Sequence, residues 1–334
     1  MKSTIVAMLR CPLCKAPLSL SSTHAEQAEI LEGRLSCTGC RAGFPISGGV
    51  PRVAPREHCQ SHVSQSFGFE WKTHHAGGFE KGTVFGRGID EQIKYFFEAF
   101  KISEQDIQGK WILDAGCGSG VLTAEIARRY PGAEVVGMDI NPAIADVYQV
   151  DGRLPNLHLV QASVLAPPFA PESLDLLWCN GVIHHTGDSR GAFDSLAALV
   201  RKGGRAYFWV YEKKASPMVA LRTVLRPVGL VHWNHRFLYH FCQVIAFVTW
   251  LTLSLLSPLR RCRFIQNRTH LKILVLQRGY RELVLTWFDV LSPMYRDTFT
   301  QSEFESWFRD RGFGNLSTYW WPVGISGVKK AASS

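Results

Sequence analysis

The sequence predicts an α/β fold: a mostly parallel, doubly wound sheet with helices on both faces, a small metal-bound ribbon ahead of it, and a helical cap inserted late. Three observations carry this. Two Cys-x-x-Cys pairs lie within the first 40 residues. A short apolar run ends in an acid and a glycine-rich loop, and helical periodicity follows at once, over 111–128. Strand-like and helix-like runs then alternate to about residue 211, the pattern of a sheet built from βα units.

The chain's 334 residues allow one large domain plus smaller attachments. With 46% hydrophobic and 19% charged residues it can fill a core, which excludes intrinsic disorder. Nine cysteines are too few for a small secreted disulfide scaffold. A formal charge of +9 permits an acidic partner (nucleic acid, phosphate or an anionic membrane surface) without requiring one. Met1 opens a polar stretch with no basic region followed by an apolar one, so a reducing, cytoplasmic setting is expected. In that setting cysteines are read as ligands before disulfides.

The ribbon comes first, over 1–55. Cys11-Pro12-Leu13-Cys14 and Cys37-Thr38-Gly39-Cys40 are separated by 22 residues. Four thiolates in two knuckles suit a tetrahedral, structural Zn2+ and leave it no open position for catalysis. So short a segment has little core of its own, so the metal would supply folding free energy. The run through Phe44-Pro45-Ile46 and Gly48-Gly49-Val50-Pro51 resembles the small zinc-ribbon protein that activates tRNA and protein methyltransferases, over about residues 8–54. That resemblance implies a protein partner for the ribbon. Cys59 lies beyond it and is not read as a ligand.

Residues 56–109 read as a linker and approach helices. Pro51, Pro55 and the polar run to Ser66 have linker character. Phe67-Gly68-Phe69-Glu70-Trp71 crowds three aromatics into five residues, as an anchor onto the next domain or a lid over a ligand. Ile93, Phe96, Phe97 and Phe100 fall at helical spacing.

The core spans 110–212. Trp111-Ile112-Leu113-Asp114 leads into Ala115-Gly116-Cys117-Gly118-Ser119-Gly120, and Val121 to Arg128 is helical in period. The glycines let the backbone approach a ligand closely. The next strand, from Ala133 to Met138, ends in Asp139, where an acid suits ribose hydroxyls. An acid at Asp114 opposes a pyrophosphate and suits an ammonium, which disfavours a nicotinamide dinucleotide. Together these residues resemble the first two motifs of class I S-adenosylmethionine-dependent methyltransferases. The resemblance continues through strand 157–161, strand 176–179, the Asn180-Gly181-Val182-Ile183-His184-His185 segment and the Arg201-Lys202-Gly203-Gly204 turn, and it is closest to the small-molecule and lipid methyltransferases. It implies S-adenosyl-L-methionine as cofactor, held by Asp114, Gly116, Cys117, Gly118, Asp139, Ile140, Ala162, Ser163, Asn180 and Gly181. Ser163 stands where the family often has an Asp that bonds the adenine. His185 is the candidate for orienting the substrate or accepting its proton.

After Tyr211 a cap of about 80 residues, 213–296, is inserted. No Asp, Glu, Lys or Arg occurs from Phe237 to Leu259, and arginines flank the run. A helix packed over the core, one lying on a membrane and one crossing it are all open by length and composition. Asp289 to Tyr295 could close over the transfer site, which makes Tyr295 a second catalytic candidate. Residues 297–334 complete the fold. There Thr300-Gln301-Ser302-Glu303 forms a capping box opening a helix, and 313–320 with 323–328 forms a closing hairpin.

The chain is thus expected to methylate a small-molecule, lipid-linked or glycan acceptor. One rival is a ribosomal or transfer RNA base methyltransferase that uses the ribbon for RNA contact. Another is a module that binds S-adenosylmethionine without catalysis and activates a partner. The expected location is cytoplasmic, and peripheral contact with the inner face of the membrane through 237–259 is left open.

Overall fold

The computed structural model describes residues 1–26, 29–79, 83–84, 87–214, 217–225, 228–255, 279–319 and 323–331. Gly86, Trp320 and the 256–259 end of the uncharged run, with Arg260, Arg261 and Arg263, lie outside them. The described residues fall into two units: Met1–Trp71 with Ile89–Lys214 and Met294–Ser334, and Lys72–Gly88 with Ala215–Pro293.

The first unit opens with the ribbon. Strands β1 (Leu18–Glu26), β2 (Glu29–Cys37), β3 (Gly43–Ser47) and β4 (Val50–Pro51) form an antiparallel meander in chain order. At Gly33 of β2 a Cβ would lie 2.6 Å from the Ser21 carbonyl oxygen, so only glycine fits there. Helices α1 (Arg56–Cys59) and α2 (His62–His75) follow, and the two-stranded hairpin β5 (Thr83–Val84) and β6 (Arg87–Gly88) belongs to the second unit. The polar stretch read as linker is therefore largely helical.

Helix α3 (Ile89–Phe100) buries Ile93, Phe96, Phe97 and Phe100, the stripe its spacing predicts. The sheet then builds outward in alternation: β7 (Trp111–Ala115), α4 (Val121–Arg129), β8 (Glu134–Asp139), α5 (Ile144–Asp151), β9 (Leu157–Gln161), β10 (Leu174–Asn180), α6 (Ser189–Ala197) and β11 (Val200–Trp209). The closing elements of this unit are α10 (Gln301–Asp310), β12 (Phe313–Tyr319) and β13 (Gly324–Lys329). Their order across the sheet is β12-β13-β11-β10-β7-β8-β9, parallel from β9 to β11, with β13 antiparallel to β11 and β12 antiparallel to β13. The chain reverses its direction of winding at β7 and β10, and the loops leaving those two strands flank the crevice where such sheets take ligands.

The apolar runs explain the strands. All five residues of β9 are buried, including His158, whose ring bonds Glu134 at 2.7 Å and stacks on Trp111. Helix α10 starts on the expected box: the Thr300 hydroxyl accepts from the Glu303 amide and the Glu303 carboxylate accepts from the Thr300 amide.

The ribbon is joined to the β9 edge. Val53 donates its amide to the Gln161 carbonyl at 2.8 Å, and the Arg52 guanidinium bonds the Gln161 side-chain oxygen. Arg10 donates its amide to the Pro168 carbonyl and Ala170 to that of Met8, at 2.9 and 2.8 Å. Ile5, Leu9, Leu35, Ile46 and Val53 of the ribbon share one buried cluster with Val136, Val160 and Phe169 of the sheet layer. Ribbon and sheet therefore have a continuous core.

The second unit holds α7 (Pro217–Leu225), α8 (His235–Leu255) and α9 (Tyr280–Leu291). Helix α8 buries Leu238, Cys242 and Ala246, one stripe at four-residue spacing. It is tied to α9 by the Trp287 indole donating to the Thr249 hydroxyl at 3.2 Å and the Tyr280 hydroxyl donating to the Gln243 carbonyl at 3.2 Å. Arg222 donates to the carbonyls of Val290 and Pro293 at 2.7 and 2.6 Å, closing the end of α9.

Candidate functional site

The site is built on the β7–α4 loop. Gly116, Gly118 and Gly120 have φ of +82°, +55° and +70°, conformations a side chain resists. The amides of Gly116 and Cys117 donate to the Met138 carbonyl at 2.7 and 3.1 Å, which ties the loop to the end of β8. Asp139 then accepts from the Gly118 amide at 2.8 Å and the Asn141 amide at 2.9 Å. Asp114 accepts from the Thr123 hydroxyl at 2.5 Å.

Both acids are buried. Burial pushes the Asp114 carboxyl up to about 7, with the Asp139 charge adding to the rise and the Thr123 hydroxyl opposing it. Burial raises Asp139 too, against the amides of Asn141 and Gly118. Two adjacent carboxyls out of water call for a cation and further donors. The Asn141 side-chain nitrogen is buried beside Asp139 and helps to hold its charge. An amino-acid ammonium and ribose hydroxyls meet these demands, so the donor and acceptor set fits S-adenosyl-L-methionine.

The other expected cofactor residues gather nearby. The Ile140 carbonyl accepts from the Gln161 side chain at 3.0 Å and the Ser64 hydroxyl at 3.3 Å. Ala162 donates its amide to the Asp139 carbonyl at 2.9 Å, and the Ser163 hydroxyl accepts from the Leu165 amide at 3.2 Å. Ser163 thus serves its own turn. Burial raises the Cys117 thiol well above its usual range, so it stays protonated. Asn180 ends β10 exposed, and Gly181 follows with φ +80°. A Cβ on Gly116 would sit 2.3 Å from the Val182 side chain, so the two loops meet there.

Helix α2 crosses these loops, so its aromatics sit where an anchor or lid would, although the sequence did not mark the segment as a helix. The Trp71 ring lies 2.7 Å from where a Cβ on Gly118 would be, Gly68 is against Pro142, and the Phe67 ring is 5.2 Å from that of His185. The crowded aromatics were the available signal; the polarity around them disguised the helix.

His185 is buried, and its Nδ1 lies 2.9 Å from the Tyr295 carbonyl oxygen. A carbonyl only accepts, so Nδ1 carries the proton and Nε2 is the basic nitrogen. Tyr295 therefore reaches His185 through its backbone, while its side chain is exposed. His184 is fully buried, and burial first, then His185 and Arg296, holds it far below the usual histidine range, so it is neutral. Arg296 stacks over the Tyr211 ring at 3.6 Å, and its Nε and Nη1 are buried with no hydrogen-bond partner. Nothing in the sequence marks that arginine.

Apart from this site, Cys11, Cys14, Cys37 and Cys40 converge in the ribbon, their sulfurs within 4.8 Å of one another. The Cys11–Cys40 and Cys14–Cys37 separations are 3.6 and 3.4 Å. Tetrahedral zinc with bonds of about 2.3 Å places sulfurs about 3.8 Å apart. The four thiols fit that ion.

Residues 113–208 match the methyltransferase-domain family, and residues 2–49 match the Trm112p-like protein family. A ubiquinone biosynthesis O-methyltransferase of Paracidovorax citrulli is 30% identical over 113 residues, which cover 33% of this chain and 47% of that protein. A malonyl-[acyl-carrier protein] O-methyltransferase of Legionella pneumophila is 30% identical over 135 residues, 40% of this chain and 46% of that one. The chain thus spans less than half of each of these relatives. A solved complex that contains the Haloferax volcanii Trm112 methyltransferase activator is 12% identical, with a TM-score of 0.45, over 81% of this chain and 99% of that one. The architecture is a class I methyltransferase fold with a Trm112-like ribbon at its N-terminal side.

Proposed function

We propose that the chain transfers a methyl group from S-adenosyl-L-methionine to a small-molecule, lipid-linked or glycan acceptor. The observation that carries this is the β7–α4 loop. It lies between two buried acids, Asp114 in β7 and Asp139 at the end of β8 with the Asn141 amide beside it, a donor and acceptor set that suits an amino acid and a ribose, inside a segment that matches the methyltransferase-domain family. Bound there, the cofactor supplies an electrophilic methyl on a sulfonium.

The chain's own residues hold and orient. Asp114 holds the ammonium, Asp139 and Asn141 hold the ribose, and Ile140, Ala162, Ser163, Asn180 and Gly181 line the remainder. Trp71 and Phe67 exclude water, so that alignment supplies much of the acceleration. His185, fixed through Nδ1, takes the acceptor's proton at Nε2 as the nucleophile attacks. Arg296 places a cation close to the two histidines, which suits an acceptor bearing a carboxylate or phosphate. The ribbon holds Zn2+ structurally on its four cysteines.

The test is to incubate the chain and methyl-labelled S-adenosylmethionine with cell lysate separated into RNA, protein, lipid and small-molecule fractions. Label in the lipid or small-molecule fraction is expected. Label confined to RNA overturns the acceptor class, and cofactor binding with no labelled fraction overturns catalysis.

A further inference from the structure

The distribution of charge sets one segment apart. Between Glu212 and Glu282 the sequence has 12 Lys or Arg and no Asp or Glu. The rest of the chain has 25 Lys or Arg against 28 Asp or Glu, so the whole +9 resides in those 69 residues. Helix α8 lies within them. It has 21 residues, a mean hydropathy of 1.5 over its most apolar window, and only 17% of that window is buried. A helix that merely filled its own protein's core would bury its apolar residues.

Opposite the buried stripe of Leu238, Cys242 and Ala246, α8 exposes Phe237, Val244, Val248, Leu251 and Leu255. Their spacings of seven, four, three and four residues place them along one side of the helix. They are far from marginally exposed: Phe237 is 60%, Val244 63%, Val248 57% and Leu255 72% accessible. Phe247 and Trp250, also accessible, widen the stripe. At the start of the helix Trp233 packs against Phe237 with ring centroids 5.0 Å apart, and Arg236 is exposed beside them. At about 1.5 Å per residue the stripe runs for some 30 Å.

We propose that α8 docks this chain on an anionic lipid bilayer, with the stripe in the acyl–headgroup boundary and the cations of the same stretch of sequence against the lipid phosphates. A purely apolar partner would leave the charge asymmetry without purpose; an anionic bilayer engages both features at once. The same geometry argues against a span. The inner face of α8 is fastened to α9, which carries Arg281, Glu282 and Asp289, and hydrocarbon on all sides of α8 would have to displace or engulf that helix. The proposal stands apart from the methyl-transfer reading, which is followed separately by cofactor binding on the same preparation.

The test is co-sedimentation of the full chain with phosphatidylcholine vesicles and with vesicles containing about one-third phosphatidylglycerol. Binding to the anionic vesicles is expected to be at least about tenfold tighter and to weaken in high salt. Val248→Glu with Leu251→Glu, both on the exposed side, should abolish it while S-adenosylmethionine still binds, which shows that the variant is folded. Equal binding to both vesicles, no binding to either, or unchanged binding of the double variant overturns the proposal. So does resistance to alkaline carbonate extraction, which marks a span. A dimer that the double variant dissolves, in a chain that ignores vesicles, assigns the stripe to a second copy instead.

Discussion

Asp114 sits in a place where its charge is unwelcome until a ligand arrives. Its folded pKa of about 7 lies above the ordinary 3.8. A carboxyl raised in this way favours folding while it is protonated, and that contribution fades as pH climbs from about 4 through 7. The free chain should lose stability over that window, and the cofactor's ammonium should restore it. Thermal melts at about pH 5.5 and pH 8 check this: the upward shift in Tm given by S-adenosylmethionine should be larger at pH 8. An equal shift at both would take Asp114 out of the ammonium contact. Asp114→Asn should weaken cofactor binding at pH 8 by about tenfold or more, or ~1.4 kcal/mol, by calorimetry, without lowering the free chain's Tm there. His185 differs in kind, because its proposed partner is the acceptor. His185→Ala should cut turnover by about 10²–10⁴ and leave the cofactor Kd unchanged. A loss of cofactor affinity instead would make the ring a structural support for the loop.

The strand–loop–helix unit from Trp111 to Arg129 is the element most legible in the sequence, because its apolar run, its acid and its glycines are contiguous and each has a local reason. The reason at Gly118 is double: a left-handed φ, and the Trp71 ring where a side chain would go. Gly118→Ala should therefore cost about 1–2 kcal/mol of stability and most cofactor affinity. Adding Trp71→Ala should recover only part of the loss, since it relieves the contact and leaves the backbone strain. Full recovery in denaturant titrations would mean that the ring alone dictates glycine. The capping box at Thr300 was equally legible, and Thr300→Ala should cost about 1 kcal/mol by urea unfolding. Helix α2 was not legible. It buries Ser64, Ser66 and Glu70, residues that usually face water, together with Gly68, so no apolar stripe marks its helical period. Its burial comes from loops distant in sequence, such as the Ile140 carbonyl that accepts from Ser64. Arg296 was hidden for the same reason, since only the folded chain brings it to Tyr211.

At the scale of the whole molecule, the two Cys-x-x-Cys pairs made the ribbon plain, but not where it sits. Its place is set by non-local groups: the Val53 amide on Gln161, the Arg52 side chain on the same residue, and a cluster that runs from Leu35 and Ile46 into Val136 and Val160. Gln161 then passes its own side-chain amide to the Ile140 carbonyl, next to Asp139. A path of hydrogen bonds thus leads from the ribbon to the residues proposed to hold the ribose. If the four cysteines hold zinc, its loss should be felt at both ends. Because the core is continuous, chelation or Cys37→Ser should lower a single melting transition by about 10 °C, the equivalent of some 3–5 kcal/mol, with no separate early unfolding of the ribbon. Because Gln161 links the parts, S-adenosylmethionine should also bind more weakly to the chelated chain at a temperature where it is still folded. Arg52→Ala, which leaves the cysteines intact, should reproduce the weaker binding with a smaller change in Tm. Two resolved transitions, with cofactor affinity untouched by chelation, would show instead that the ribbon is only attached to the sheet and does not brace it.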